Sequence, residues 1–107
     1  MTQHKQSTLT RELSRNIDAA YEAYKAKAPD AEKSLLGAFL EQARNIARFR
    51  LKELYDGTVA YDAAHGAILA LKDFDGKSAL STWFYRIAQN ESFSELGRLI
   101  KKRGRAA

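Results

Sequence analysis

The chain has 107 residues, with 18 basic against 13 acidic side chains, a net charge of +5 and no cysteine. That length suits one domain with a core of its own, and the missing cysteine excludes disulfides, thiolate metal sites and a cysteine nucleophile. The polar start "MTQHKQSTLT" is not a signal peptide, and no apolar run approaches the roughly 20 residues that cross a bilayer, so the expected setting is cytoplasmic, with no membrane partner.

Residues 1–7 read as a disordered N-terminus, 8–103 as a single helical domain and 104–107 as a basic tail. The first helix spans 8–27, with Leu9, Leu13, Ile17, Ala20, Tyr21 and Tyr24 at 3–4 spacing. The only proline, Pro29, breaks the chain, and Asp30 is expected to cap the next helix, with Lys33 in its first turn. That helix, 31–55, is the most periodic segment. Its stripe is Leu36, Leu40, Ala43, Ala47, Leu51 and Leu54, widened by Leu35, Phe39 and Ile46. Arg44, Arg48 and Lys52 form a basic row beside the stripe, either a solvated face or a contact for a nucleic-acid backbone.

The Asp-Gly turn "YDGT" precedes a third helix over 59–73, capped by Thr58, with Ala60, Ala63, Ala64, Ala67, Ile68 and Leu71 inward. A second Asp-Gly turn, "DFDGKS", leads to a fourth helix that Ser78 would cap and that runs to about Arg103. No β pattern occurs, so the predicted fold is all-α, a small bundle of four helices with short loops.

The fourth helix changes face along its length. Leu80, Trp83, Phe84 and Ile87 share one side at about 100° per residue, which makes Trp83 and Phe84 core residues and turns Tyr85 and Arg86 outward. Phe93, Leu96 and Ile100 fall on the opposite side. A kink near 89–92, packing against the first helix or an external partner would each account for this. Five basic residues, Arg98, Lys101, Lys102, Arg103 and Arg105, lie within 98–107, where there is no acid; the other thirteen balance the thirteen acids. A basic end seeks phosphate or an acidic surface, although the last five residues also fit a solvated tail.

Nothing in the sequence points to catalysis. His4 and His65 are the only histidines, and no Ser-His-Asp spacing, glycine-rich phosphate cradle or two-histidine metal motif occurs. Asp73 and Asp75 flank a turn and read as turn chemistry. The expectation is a binding protein rather than an enzyme, with no cofactor and no metal. Exposed aromatics beside a glycine loop, with lysines and arginines nearby, suit stacking on unpaired bases.

The run "FDGKSALSTWFYRIAQN" at 74–90 resembles region 2 of bacterial RNA polymerase sigma factors, most closely the extracytoplasmic-function group. That family runs an aromatic, a Gly-containing turn, a small residue, then Trp, a hydrophobic residue, Tyr, Arg, Ile, Ala, a variable residue and Asn. Here these are Phe74, Gly76, Ala79, Trp83, Phe84, Tyr85, Arg86, Ile87, Ala88 and Asn90. Leu96, Arg98, Lys101, Lys102 and Arg103 match the leucine and basic cluster that follow, and "AEKSLLGAFLEQARNIARFRLKELY" is similar to the family's region 2.1 helix. The resemblance covers about 31–103.

The resemblance implies a transcription-initiation domain that docks on the coiled coil of the polymerase largest subunit. It would recognise and open the promoter −10 element by capturing single-stranded bases. It implies a polymerase-binding face at Thr58, Tyr61, Asp62 and His65. It implies DNA contacts at Phe74, Asp75, Gly76, Lys77, Ser78 and Ala79 in the loop, at Thr82, Tyr85, Arg86 and Asn90 on the helix, and at Arg98, Lys101, Lys102 and Arg103 along the backbone. An anti-sigma factor is a further implied partner.

The chain departs from the family pattern at several positions. Tyr55, Asp56, Gly57 and Thr58 replace an acidic helix opening, Tyr61 a glutamine, Ala64 and Ile68 a large aromatic pair, Ser94 a common aspartate, and Gly97 a basic or polar residue. No second helix-turn-helix segment for a −35 element occurs, so the expectation is either a fragment of a longer sigma factor or a free-standing domain. The eroded acidic helix opening and the apolar Phe93–Leu96–Ile100 face support a rival reading, a sigma-like adaptor that binds a protein partner without reading DNA. The Phe93–Leu96–Ile100 face supports another, a self-associating helical bundle.

Overall fold

The computed structural model describes the backbone of residues 2–106 and the side chains of residues 7–104. It is an all-α bundle of four helices: α1 Thr2–Lys25, α2 Ala31–Leu51, α3 Gly57–Ala70 and α4 Leu80–Ala106. Short 3₁₀ turns at Lys52–Leu54 and Leu71–Asp73 finish α2 and α3. Among the described residues there is no strand, and no helix is long and apolar enough to cross a membrane. The helical ends reach further than sequence composition suggested: residues 2–7 and 104–106 continue α1 and α4.

α1 ends in a Schellman turn. The Lys27 N–H donates to the Tyr24 carbonyl at 3.1 Å and the Ala28 N–H to the Ala23 carbonyl at 3.0 Å, with Lys27 at a φ of 58°. Pro29 then blocks continuation. Asp30 also takes a φ of 58°, and its side chain makes no cap bond, against expectation. Side-chain capping needs an extended backbone at that position, and the left-handed turn that reverses the chain removes it.

α2 is the hub, packing against α1, α3 and α4. Its buried axis is Leu35, Phe39, Gln42, Ala43, Ile46 and Ala47, so Leu36 and Leu40 lie on the shoulder of the stripe rather than at its centre. The Phe39 ring stacks on Phe84 of α4 at 4.3 Å and 17°. Ala60, Ala63, Ala64 and Ala67 line the inner side of α3, as their spacing predicted, and let α3 approach closely.

Two polar residues sit inside this interface. Gln42 donates to the Thr10 carbonyl and to Ser14 Oγ, both at 3.1 Å. Asn45 donates to Gln42 Oε1 at 2.9 Å and to Thr10 Oγ1 at 3.1 Å. Among the described residues no buried side-chain nitrogen or oxygen lacks a partner. A buried amide is tolerated only when bonded in this way, so the network fixes how α1 lies along α2.

The change of face on α4 needs no helix break. Leu80, Phe84, Ala88 and Ser92 are buried, and Leu96 continues the row into a second cluster with Ala47, Leu51 and Val59. A four-residue step overshoots a 3.6-residue turn by about 40°, so the contact line winds around a continuous helix. Leu96 thus meets α2 and α3 rather than α1. Phe93 and Ile100, beside it, are 49% and 57% exposed.

Candidate functional site

The loop before α4 is held by its own backbone and by α1. Phe74 is extended, its N–H donating to the Leu71 carbonyl at 3.1 Å. Asp75 Oδ1 accepts from the Lys77 N–H at 3.0 Å, an Asx turn that closes over Gly76. Gly76 has a φ of 76°, the left-handed region where a side chain is strained. The Ala79 carbonyl accepts from the Thr82 and Trp83 amides at 3.1 and 3.2 Å and so begins α4.

Ser78 does not cap this helix; its hydroxyl donates to the Ala79 carbonyl at 3.2 Å. The helix starts too late for Ser78 to reach its amides. The cap comes from α1 instead. Asp18 accepts from the Ser81 N–H at 3.0 Å and from Ser81 Oγ at 2.8 Å. α4 has no acid in its own first turn, so Asp18 also supplies the negative charge that the helix dipole favours there. Side-chain caps contribute about 0.5–2 kcal/mol, and each kcal/mol moves the melting point of a domain this size by about 4–8 °C. Asp18→Ala is therefore expected to melt several degrees below wild type. Ser81→Ala should fall short of that, because Asp18 keeps the amide. Equal melting of wild type and Asp18→Ala in a calorimetric scan would remove Asp18 as a cap.

A cleft of about 290 Å³ opens between α1 and the loop, lined by Asp18, Tyr21, Glu22 and Lys25 on one side and by Phe74, Gly76, Ser78, Ala79 and Leu80 on the other. The Phe74 ring meets Tyr21 edge-on at 5.9 Å and Trp83 at 5.3 Å. Lys25 Nζ lies 4.8 Å from the centre of the Tyr21 ring and pairs with Glu22 at 2.8 Å. The hydrogen bond to Glu22 holds the Lys25 ammonium above its ordinary pKa. The four α1 residues carry no motif and were missed in the sequence. Only Tyr21 gave a signal, as part of the α1 apolar stripe.

The residues expected to contact DNA separate into three groups. Phe74, Gly76, Ser78 and Ala79 form the loop wall of the cleft, while Asp75 and Lys77 are exposed outside its lining. Thr82, Arg86 and Asn90 are exposed and follow one another at four-residue steps along α4. Arg98, Lys101, Lys102 and Arg103 are exposed further along the same helix, where steps of about 100° distribute them around its end rather than on one face. Arg98 is hydrogen-bonded to Glu95. Two aromatic expectations change. Trp83 is only half-buried, tucked against Phe74 at the mouth of the loop. Tyr85 does not turn away from the core but packs half-buried against it, because it sits on the shoulder of the winding contact row.

On α3, Thr58, Tyr61 and Asp62 are exposed and His65 is half-buried, all on the outer side. The Tyr61 and His65 rings lie 4.0 Å apart. Thr58 is not the cap; Asp56 is, with Oδ1 accepting from the Thr58 N–H at 2.8 Å. Leu69, 76% exposed, continues this face and was missed, since an exposed leucine leaves no mark in an otherwise apolar helix. Among the described residues no group of three His, Cys, Asp or Glu is placed to hold a metal ion. No family model, no curated protein and no solved structure matches the chain.

Proposed function

We propose that the chain is a sigma region 2-like domain of the bacterial cytoplasm, acting in transcription initiation by binding rather than by catalysis. In this reading the cleft between α1 and the 74–79 loop takes up an unpaired base of the −10 element. Thr82, Arg86 and Asn90 follow the adjoining strand, and the outer face of α3 docks on core polymerase. The observation that carries the reading is the cleft itself: a glycine turn and two aromatic rings, Tyr21 and Phe74, beside a basic and polar row. Trapping an extruded base offsets an unstacking cost of a few kcal/mol without covalent chemistry.

The test is a fluorescence-anisotropy titration with −10-like oligonucleotides. Single strands are expected to bind more tightly than duplex of the same sequence. Tyr21→Ala should weaken single-strand binding several-fold or more, since stacking contributes about 1–3 kcal/mol per base. Arg86→Ala should weaken it with a reduced salt dependence. Equal affinity for single and double strands, or variants that bind as wild type, would sink base capture. The exposed Tyr61 and Leu69 on α3 favour a second reading, an adaptor that binds a protein partner through that face alone. In that case the DNA titration fails and polymerase or regulator binding persists.

A further inference from the structure

The cleft between α1 and the 74–79 loop holds a cation to which base capture gives no part. Among the described residues of its lining, Lys25 is the one basic side chain. The other charged groups of the wall are two carboxylates, Asp18 and Glu22. Both Asp18 oxygens are already engaged, by the Ser81 N–H and hydroxyl. Glu22 holds Lys25, with Oε2 at 2.8 Å from Nζ.

Lys25 also lies over the Tyr21 ring, 4.8 Å from its centre. Phe74 meets the same ring edge-on at 5.9 Å, and Tyr24 stacks beside it at 6.3 Å. A base cannot stack on a ring face that an ammonium covers, so the cation has to move before that face is used. Little holds it in place. The pair with Glu22 joins side chains that are 50% and 73% exposed, and such pairs contribute little. A cation over a ring at an exposed site is also a weak contact. The charge itself is secure, because the hydrogen bond to Glu22 keeps the ammonium protonated.

An entering strand changes the balance. It brings phosphates within a Debye length of the wall, about 8 Å at physiological ionic strength, where an unopposed Glu22 repels them. An ammonium on a flexible four-carbon stem can follow the stronger anion, and lysine binds phosphate as a point charge. We propose that Lys25 is the phosphate-binding residue of the cleft. As a base settles against Tyr21, the ammonium leaves the ring and Glu22 and pairs with the strand phosphate beside that base. Glu22 is then a competitor for the cation and not a contact to the strand. The assignment rests on base capture and adds to it the residue that holds the backbone.

The test uses a −10-like single strand in two forms, one with ordinary linkages and one with neutral methylphosphonate linkages through the −10 segment. Lys25→Met keeps the aliphatic stem and removes the charge. It is expected to weaken binding of the ordinary strand several-fold and to lower the salt slope by about 0.7, the share of one phosphate on a single strand. The neutral strand should bind this variant as it binds wild type. Glu22→Gln should tighten binding of the ordinary strand several-fold and leave the neutral strand unchanged. Wild-type binding of the ordinary strand by Lys25→Met overturns the phosphate contact. An equal loss on both strands also overturns it and makes Lys25 a support for the Tyr21 ring. Unchanged or weaker binding by Glu22→Gln overturns the competition. Tyr21→Ala separates these results from base capture itself. If Tyr21→Ala weakens single-strand binding and Lys25→Met does not, base capture stands and the Lys25 assignment falls. If wild type shows no preference for single strands, base capture falls and takes the assignment with it.

Discussion

Phe84→Ala is expected to cost about 3–5 kcal/mol, the range for large aromatic truncations in cores. Phe84 is fully buried and stacked on Phe39 across the α2–α4 contact. Such a pair adds about 0.5–1.5 kcal/mol to the area term. The surrounding cluster is rich in alanine, at positions 43, 60, 63, 64, 67 and 88. Alanine has no rotamer with which to fill a void, so the cavity stays open. Against a total stability of roughly 5–15 kcal/mol, the variant would be partly or wholly unfolded at moderate temperature. Trp83→Ala, at a half-exposed site, should cost clearly less. A urea titration in which the two variants have equal midpoints would show that the two rings share the core equally.

Asp62→Lys is expected to abolish co-purification with core polymerase at moderate salt, on the proposed docking role of α3. Asp62 is exposed beside Tyr61 and His65, and the rest of this face, Thr58 and Leu69, carries no charge. Docking therefore leans on a single carboxylate. Reversing it sets like charges across the contact, which costs several kcal/mol, and every 1.4 kcal/mol is about tenfold in affinity. The side chain points out of the bundle, so melting and single-strand DNA binding should hold. Equal recovery of wild type and variant would show that α3 is not the docking helix. If neither is recovered while both remain folded, the chain does not engage polymerase through this face.

Helix number and order could be read from the sequence, because apolar spacing and two Asp-Gly turns mark them directly. The alanine face of α3 was legible for the same reason. The caps were not. Asp30 stands at the cap position itself and Thr58 and Ser78 one or two residues from one, all with the right chemistry, but the backbone decides. Asp30 is left-handed, Asp56 precedes Thr58, and Ser78 stands before a helix that begins later. The burial of Gln42 and Asn45 was not legible, because a hydrophobicity pattern has no way to register partners 28 to 35 residues away. The loop side of the cleft was found through its turn and its resemblance to a known run. The α1 side was not, since Asp18, Tyr21 and Lys25 become its wall only through tertiary packing.

The Asp18–Ser81 contact also sets an order of events during synthesis. Domains emerge from the ribosome N-terminal end first. α1 leaves the exit tunnel well before the residue whose amide its carboxylate will accept. Until Ser81 appears, Asp18 is hydrated and α1 leans on α2 alone, through Gln42 and Asn45. The cleft is framed by residues 18–25 and 74–80, early and late parts of the chain. A nascent chain can therefore bring α1, α2 and α3 together while the cleft remains unmade, and the cleft forms only with the residues that begin α4, the helix that also completes the core through Phe84 and Ala88.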